Sequence, residues 1–139
     1  MNPQQKLKLF RKIINHLNKK FCGNKLVINN ITLFKKGDLH KSFPDNNGWY
    51  SRDGKGILIH EDTPLVNQIR ILIHEFVHAW QWQIEGEYYE RMIKNEKKKE
   101  GIKRLSNKGY NKIVHDKKSQ VIYDKLFKET DKILKISIK

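Results

Sequence analysis

The sequence predicts an α+β fold in which a small sheet packs between helices. Apolar residues recur at spacings of three and four before residue 22 and again after residue 64, as on the buried face of a helix. Between these segments the apolar residues come in short β-branched runs separated by turn residues, which is typical of strands. A third helical pattern follows residue 115. Because 139 residues suffice for one core, residues 1–139 are expected to form a single domain.

The first helix is predicted to begin at Pro3 and to end before Gly23. Asn2 can cap its first turn, and proline suits the first helical position because the N–H it lacks would have no intrahelical partner. Glycine readily adopts the left-handed conformation that ends many helices. The apolar stripe of this helix consists of Leu7, Phe10, Ile13, Ile14, Leu17 and Phe21.

Three strands are expected to follow. The β-branched stretch from Lys25 to Lys35 predicts one strand with a bulge at Asn29-Asn30, or two short strands. Residues 36–48 are polar and predict a loop. Residues 49–51 and 56–60 flank Asp53-Gly54, a turn sequence that predicts a hairpin. The expected sheet is therefore small and antiparallel.

The segment after this hairpin predicts a helix that carries the sequence H-E-x-x-H. Thr63 is a candidate N-cap, and Pro64 suits the first helical position. On a helix, His74 and His78 project from the same face one turn apart, with Glu75 beside them. The apolar stripe lies on an adjacent face and consists of Ile69, Leu72, Ile73, Phe76, Trp80 and Ile84.

This spacing predicts a zinc site, because two imidazoles one helical turn apart can bind one Zn²⁺. His74 and His78 are the expected ligands. Glu75 is the expected general base, since its carboxylate can take a proton from a water whose pKa zinc lowers to about 7. The alternative is a pair of hydrogen-bonded core histidines, but Glu75 would then be a buried charge with no evident partner.

Composition limits the other possibilities. The single cysteine, Cys22, excludes an internal disulfide and most cysteine-rich zinc sites, so nitrogen and oxygen atoms would hold the metal. No apolar run approaches 20 residues, and the N-terminal segment is polar and amphipathic. We therefore expect a soluble cytoplasmic protein that does not bind a membrane.

The order of these elements resembles the zincin fold of metalloproteases, and within it the small SprT-like domain of the Spartan proteases. The resemblance covers roughly residues 1–82, and its strongest part is residues 72–80, which contain H-E-x-x-H; Gly48-Trp49-Tyr50, Asp53-Gly54 and residues 56–59 add to it. It implies zinc-dependent peptide hydrolysis. It also implies that residues 56–60 form the edge strand along which an extended substrate binds.

A catalytic zinc requires a third protein ligand. The metzincin pattern is excluded, because Gln81 and Ile84 stand where its glycine and histidine would be. Glu85 lies about 10 Å beyond His78 on a continuous helix, too far to share its metal. The third ligand must therefore come from a segment that leaves the helix and returns.

The SprT-like resemblance implies that this third ligand is His115. Domains of this type supply a third histidine at the start of a later helix, and His115 stands at the corresponding place, followed by an aspartate where the family has glycine. Glu96 and Glu100 have gluzincin-like spacing but lie among lysines, where ion pairing explains them. His60, at the end of the last strand, is a further alternative.

Residues 94–139 form a basic, largely helical part with fifteen Lys or Arg against six Asp or Glu, within a formal net charge of +14. The H-E-x-x-H helix is expected to continue through Met92, with a polar loop over residues 97–109. The charge favours non-specific, salt-sensitive contact with nucleic acid, with Tyr110 as a candidate for base stacking. The alternative is a lysine-rich composition without a functional role.

Together these features predict a zinc-dependent metallopeptidase that cleaves protein or peptide substrates. His74, His78 and His115 would hold Zn²⁺, and Glu75 would activate water. The resemblance to Spartan implies that the substrates are proteins associated with DNA. The alternative function is a non-catalytic nucleic-acid-binding module in which the zinc is structural.

Overall fold

A computed structural model describes residues 1–35 and 47–137, without the side chains of residues 136 and 137. The described residues form five helices and a three-stranded mixed sheet, which confirms the α+β class. The predicted loop over residues 36–48 lies almost entirely outside them. The elements are α1 (Pro3–Cys22), β1 (Asn30–Phe34), β2 (Gly48–Ser51), β3 (Gly56–His60), α2 (Leu65–Gln83), α3 (Gly86–Glu100), α4 (Asn107–Val114) and α5 (Lys117–Ser137).

Helix α1 has the predicted ends. The Asn2 side chain accepts a hydrogen bond from the Gln5 N–H at 2.8 Å, and the Gln5 side chain accepts one from the Asn2 N–H at 2.9 Å. This capping box satisfies two N–H groups that lack intrahelical partners. At the other end Gly23 adopts φ 57°, a left-handed conformation that glycine tolerates without strain.

The prediction of an antiparallel sheet is wrong for one of its two pairings. The strand order is β1-β3-β2, with β2 antiparallel and β1 parallel to the central strand β3. The strands β1 and β3 run in the same direction, and β2 runs opposite to both. Because β3 is paired on both sides, it cannot be the edge strand that adds a substrate. Strand β2, which lies beside α2, is at the edge of the described sheet.

The strand predicted from Lys25 is shorter than expected and begins at Asn30. The preceding residues bond to helix side chains instead of a neighbouring strand. Asn18 on α1 bonds both the N–H and the carbonyl of Leu26, at 3.0 and 2.8 Å, and Gln83 on α2 does the same for Val27, at 2.8 Å each. These two amides satisfy the backbone that a sheet would otherwise have paired.

The N-terminus of α2 differs from the prediction by one residue. The helix begins at Leu65, with Pro64 at the capping position and no side-chain cap. Thr63 does not cap it, because the Thr63 hydroxyl donates to the His60 carbonyl at 3.0 Å. Ile69, Leu72, Ile73 and Phe76 are buried as predicted, whereas Ile84, at the end of the expected stripe, is exposed.

The predicted continuation of α2 is wrong, and the loop predicted after it is shorter than expected. The helix ends at Gln83, where the N–H groups of Ile84 and Glu85 both donate to the Trp80 carbonyl, and α3 starts at Gly86. Helix α3 runs to Glu100 and takes in the first four residues of the expected loop, and α4 begins at Asn107 and takes in its last three. The Ser106 side chain caps α4 by accepting from the Gly109 N–H at 3.1 Å.

The core lies where α2 packs against the sheet, α1 and α5. Its largest fully buried side chains include Phe10, Phe76, Ile57 and Leu72. This packing fixes α2 along its length, so the face opposite the core holds a defined position relative to α5. Within the described residues, no helix is both long and apolar enough to cross a membrane.

Candidate metal centre

The structure brings together the three histidines that the sequence singled out. His74 and His78 lie on α2, and His115 lies at the junction between α4 and α5. The Nε2 atom of His74 is 3.0 Å from that of His78 and 3.2 Å from that of His115. One ligand atom from each residue lies within 4.8 Å of the others, and within residues 1–35 and 47–137 no other group of this kind is formed.

The protein fixes the orientation of the His78 ring through Gln81, one turn further along α2. The His78 Nδ1–H donates to the Gln81 side-chain oxygen at 2.7 Å, because that oxygen can only accept. The Nε2 lone pair therefore points towards the other two histidines. The Gln81 amide nitrogen donates to the Val114 carbonyl at 2.6 Å, which links His78 to the residue before His115.

His115 is oriented in the same way by its own backbone neighbourhood. Its Nδ1–H donates to the Asn111 carbonyl at 2.9 Å, one turn earlier on α4. A carbonyl oxygen only accepts, so Nε2 of His115 carries the lone pair. Hydrogen bonds of this type, from the distal ring nitrogen to a carbonyl or amide, accompany histidine ligands in most metal sites.

Two of the nitrogen separations in the cluster are close to those between the ligands of a tetrahedral zinc site. Zn–N bonds of about 2.0–2.1 Å at tetrahedral angles place ligand nitrogens about 3.3–3.4 Å apart. The two measured separations, 3.0 and 3.2 Å, need to open by only a few tenths of an ångström. His74, His78 and His115 therefore lie close enough to bind one metal ion.

Burial keeps the histidines on α2 neutral, as metal ligands must be. The pKa of His78 is lowered to about 4, mainly by desolvation and to a smaller extent by the nearby His74 and His115, against the opposing effect of the bond to Gln81. Desolvation and then the charge of His115 lower the pKa of His74. The lowered pKa values favour the neutral imidazoles, which is the form of histidine that binds a metal ion.

Glu75 is a buried carboxyl group next to the cluster. Its residue is 7% exposed, and burial raises the pKa of the Glu75 carboxyl to about 8, against the opposing effect of a hydrogen bond from the Tyr50 backbone N–H. Gly48 permits this close approach of β2 and α2, because a methyl group at residue 48 would overlap the side chain of Ile71 and lie 3.7 Å from Glu75 Cγ.

A cleft of about 1410 Å³ opens in front of the histidines and Glu75. Strand β2 forms one side of it, and Asn107, Asn111 and His115 form the other. The strand that borders the cleft is therefore β2, whereas the sequence pointed to residues 56–60 of β3. A peptide in this cleft would lie between β2 and the helix junction.

An aromatic wall closes one end of the cleft. The Arg52 guanidinium lies 3.7 Å from the centre of the Trp82 ring, and the Trp82 and Tyr110 rings are nearly parallel, with centroids 6.4 Å apart. Arg52 also pairs with Glu90 at 3.2 Å. Trp82 and Tyr110 both line the cleft, and the Tyr110 ring is partly buried.

The other sequence candidates do not join the metal centre. His60 accepts a hydrogen bond from the Asp62 N–H at 3.1 Å and packs its ring edge on Phe34. Glu96 and Glu100 lie on α3 and belong to no group of metal-ligating side chains within the described residues. Gln81 was missed as a functional residue, although its spacing of three residues from His78 places it within reach of that ring.

Comparisons with known proteins found no relative of this chain. No protein-family model, no curated protein and no solved structure matched it. The chemistry of the site itself therefore has to indicate what the protein does.

Proposed function

We propose that this chain is a zinc-dependent metallopeptidase of the SprT-like, zincin-like type. His74, His78 and His115 hold the zinc ion, and Glu75 is the general base. The observation that carries the proposal is the convergence of three imidazole nitrogens, 3.0 and 3.2 Å apart, beside a buried carboxyl group in an open cleft.

The donor set favours a catalytic over a structural metal. Three histidines with one coordination position open to the solvent are typical of catalytic zinc, whereas structural zinc sites have four protein ligands. Among the described residues no cysteine, aspartate or glutamate joins the group as a fourth. Bound zinc supplies Lewis-acid chemistry, polarising a carbonyl oxygen and lowering the pKa of water to about 7.

Glu75 is suited to accept a proton during the reaction. Its burial excludes bulk water from the carboxyl group, and the Tyr50 N–H holds it in place. The raised pKa belongs to the protein without a cation nearby; a positive charge within a few ångströms favours the ionised carboxylate. Glu75 then takes the proton from the attacking water and can give it to the leaving amine.

The substrate is expected to bind as an extended segment along β2. This strand borders the cleft and lies at the edge of the described sheet, where its Tyr50 N–H bonds to Glu75. Strand addition uses backbone hydrogen bonds, so it selects unfolded segments more than particular side chains. The substrate strand is therefore residues 48–51, not the residues 56–60 implied by the resemblance.

The variant Glu75→Gln tests the proposal. It should bind zinc and fold as the wild type does, while cleavage of an unstructured protein such as reduced casein falls by about 10²–10⁴-fold, the contribution of a general base. Glu87→Gln is a matched control, because it makes the same chemical change at an exposed position on α3. Equal cleavage by wild type and Glu75→Gln would exclude the proposed mechanism.

We further propose that the basic surface binds nucleic acid without sequence preference. The described lysines of residues 103–132 are exposed, so phosphate groups can reach them. If the protein is only a nucleic-acid-binding module, it will bind DNA and cleave no peptide. The logarithm of the binding constant for a single-stranded oligonucleotide should fall linearly with the logarithm of the salt concentration. No binding at low salt would reject this second proposal and leave the first unaffected.

A further inference from the structure

His115 comes from a junction between two helices, yet both of its neighbours along the chain are held by buried side chains. The Gln81 amide donates to the Val114 carbonyl at 2.6 Å, and the Tyr89 hydroxyl donates to Asp116 Oδ1 at 3.2 Å. Gln81 and Tyr89 are both 0% exposed. The peptide segment that carries the third histidine is therefore attached on each side to the helices α2 and α3.

Tyr89 is held in a single position by its surroundings. Its ring packs edge-on against Tyr88, with centroids 5.0 Å apart, and lies 6.2 Å from Trp82. Its hydroxyl also interacts with the Gln81 side chain. Burial first, and then the nearby Asp116 charge, raise the pKa of Tyr89 to about 12, so the hydroxyl keeps its proton and remains a donor.

Asp116 connects Tyr89 to the start of α5. Its Oδ1 accepts from the Ser119 N–H at 2.9 Å as well as from Tyr89, and the Ser119 hydroxyl donates to the Asp116 carbonyl at 2.8 Å. The carboxylate thus caps the first turn of α5 and anchors that turn to α3. Because His115 is the residue before Asp116, a shift of this turn would move its imidazole away from His74.

We propose that Tyr89 is a positioning residue for the metal centre and that it acts through Asp116 on His115. The Tyr89 hydroxyl holds the α4–α5 junction where His115 meets the two histidines of α2, so the third ligand is ordered before a cation arrives. Metal binding is stronger when a ligand is already ordered, because less binding free energy is spent on ordering it. This inference rests on the metal-binding half of the proposed function.

The experiment is a double-mutant cycle with Tyr89→Phe and His115→Ala, read as Zn²⁺ affinity in competition with a chromogenic chelator. Tyr89→Phe removes only the hydroxyl and keeps the buried ring. It should weaken Zn²⁺ binding about tenfold, at the lower end of the effect of groups that orient ligands. In the His115→Ala background the same change should have a much smaller effect, because the residue positioned through Asp116 is gone and only the contact with Gln81 remains.

Tyr88→Phe is the matched control, because Tyr88 lies beside Tyr89 on α3 and contacts Lys118 instead of Asp116. It should leave Zn²⁺ affinity unchanged. An unchanged affinity in Tyr89→Phe, or an equal loss with and without His115, would overturn the positioning role. Failure of the peptidase proposal would appear differently, as tight zinc binding without peptide cleavage, and would leave the cycle as predicted.

Discussion

The raised pKa of Glu75 predicts a pH-dependent difference in stability between the metal-free wild type and Glu75→Gln. The pKa of this carboxyl rises from its ordinary 4.5 to about 8 because the group is buried. In that interval the folded state binds more protons than the unfolded state. The stabilising contribution is therefore complete below pH 4.5 and is lost as the pH rises through 8.

The size of the effect follows from the two pKa values. Each unit of difference corresponds to about 1.4 kcal/mol, so the wild type should lose about 4 kcal/mol relative to Glu75→Gln between pH 5 and pH 9. Glutamine has no proton to lose and makes no such contribution. His74 and His78 have lowered pKa values and act in the opposite direction, but both proteins carry them, so their contributions cancel in the comparison.

The measurement is urea unfolding of both chelator-treated proteins at several pH values, followed by far-ultraviolet circular dichroism. The difference in the free energy of unfolding should change steadily with pH and level off above pH 8. A difference that is the same at pH 5 and pH 9 would show that the carboxyl reaches water in the metal-free protein. The placement of Glu75 behind β2 would then be refuted.

Three further substitutions test the site. His115→Ala should weaken Zn²⁺ binding by more than about 100-fold, because losing a group that only orients a ligand already costs about 10–100-fold; full retention in chelator competition would assign the third ligand elsewhere. Gln81→Leu should weaken Zn²⁺ binding about 10–100-fold, because His78 loses the group that orients it. It should also lower the free energy of unfolding by about 1–3 kcal/mol, because the Val114 carbonyl is left unpaired. A variant unchanged in both properties would contradict the link between His78 and Val114. Gly48→Ala should lower the free energy of unfolding by about 1–3 kcal/mol, since its methyl group overlaps Ile71; an unchanged urea midpoint would show that β2 and α2 are further apart.

Much of the secondary structure could be predicted because local sequence sets it. The ends of α1 depend on Asn2, Pro3 and Gly23, which act within one turn of the helix terminus. The break between α2 and α3 could not be predicted in this way. Residues 84–92 keep a helical apolar pattern, but the chain turns at Ile84 and Glu85, and Tyr89 packs against Trp82.

The sheet shows the same division between local and distant causes. The hairpin of β2 and β3 follows from its short turn, whose residues are adjacent in the chain. The parallel pairing of β1 depends on which side of β3 was left open, and short apolar runs do not carry that information. The residues before β1 bond to Asn18 and Gln83 because these side chains happen to lie along them in the folded protein.

For the metal centre, the sequence by itself determined the two histidines of α2 and the carboxyl between them. Their spacing of one helical turn places them on one face of any helix that forms there. Only the tertiary structure decided that His115 lies 3.2 Å from His74 and that Gln81 and Tyr89 hold the segment around it. Those contacts join residues far apart in the chain, and the packing of α3 and α5 against α2 and of α4 against α3 creates them.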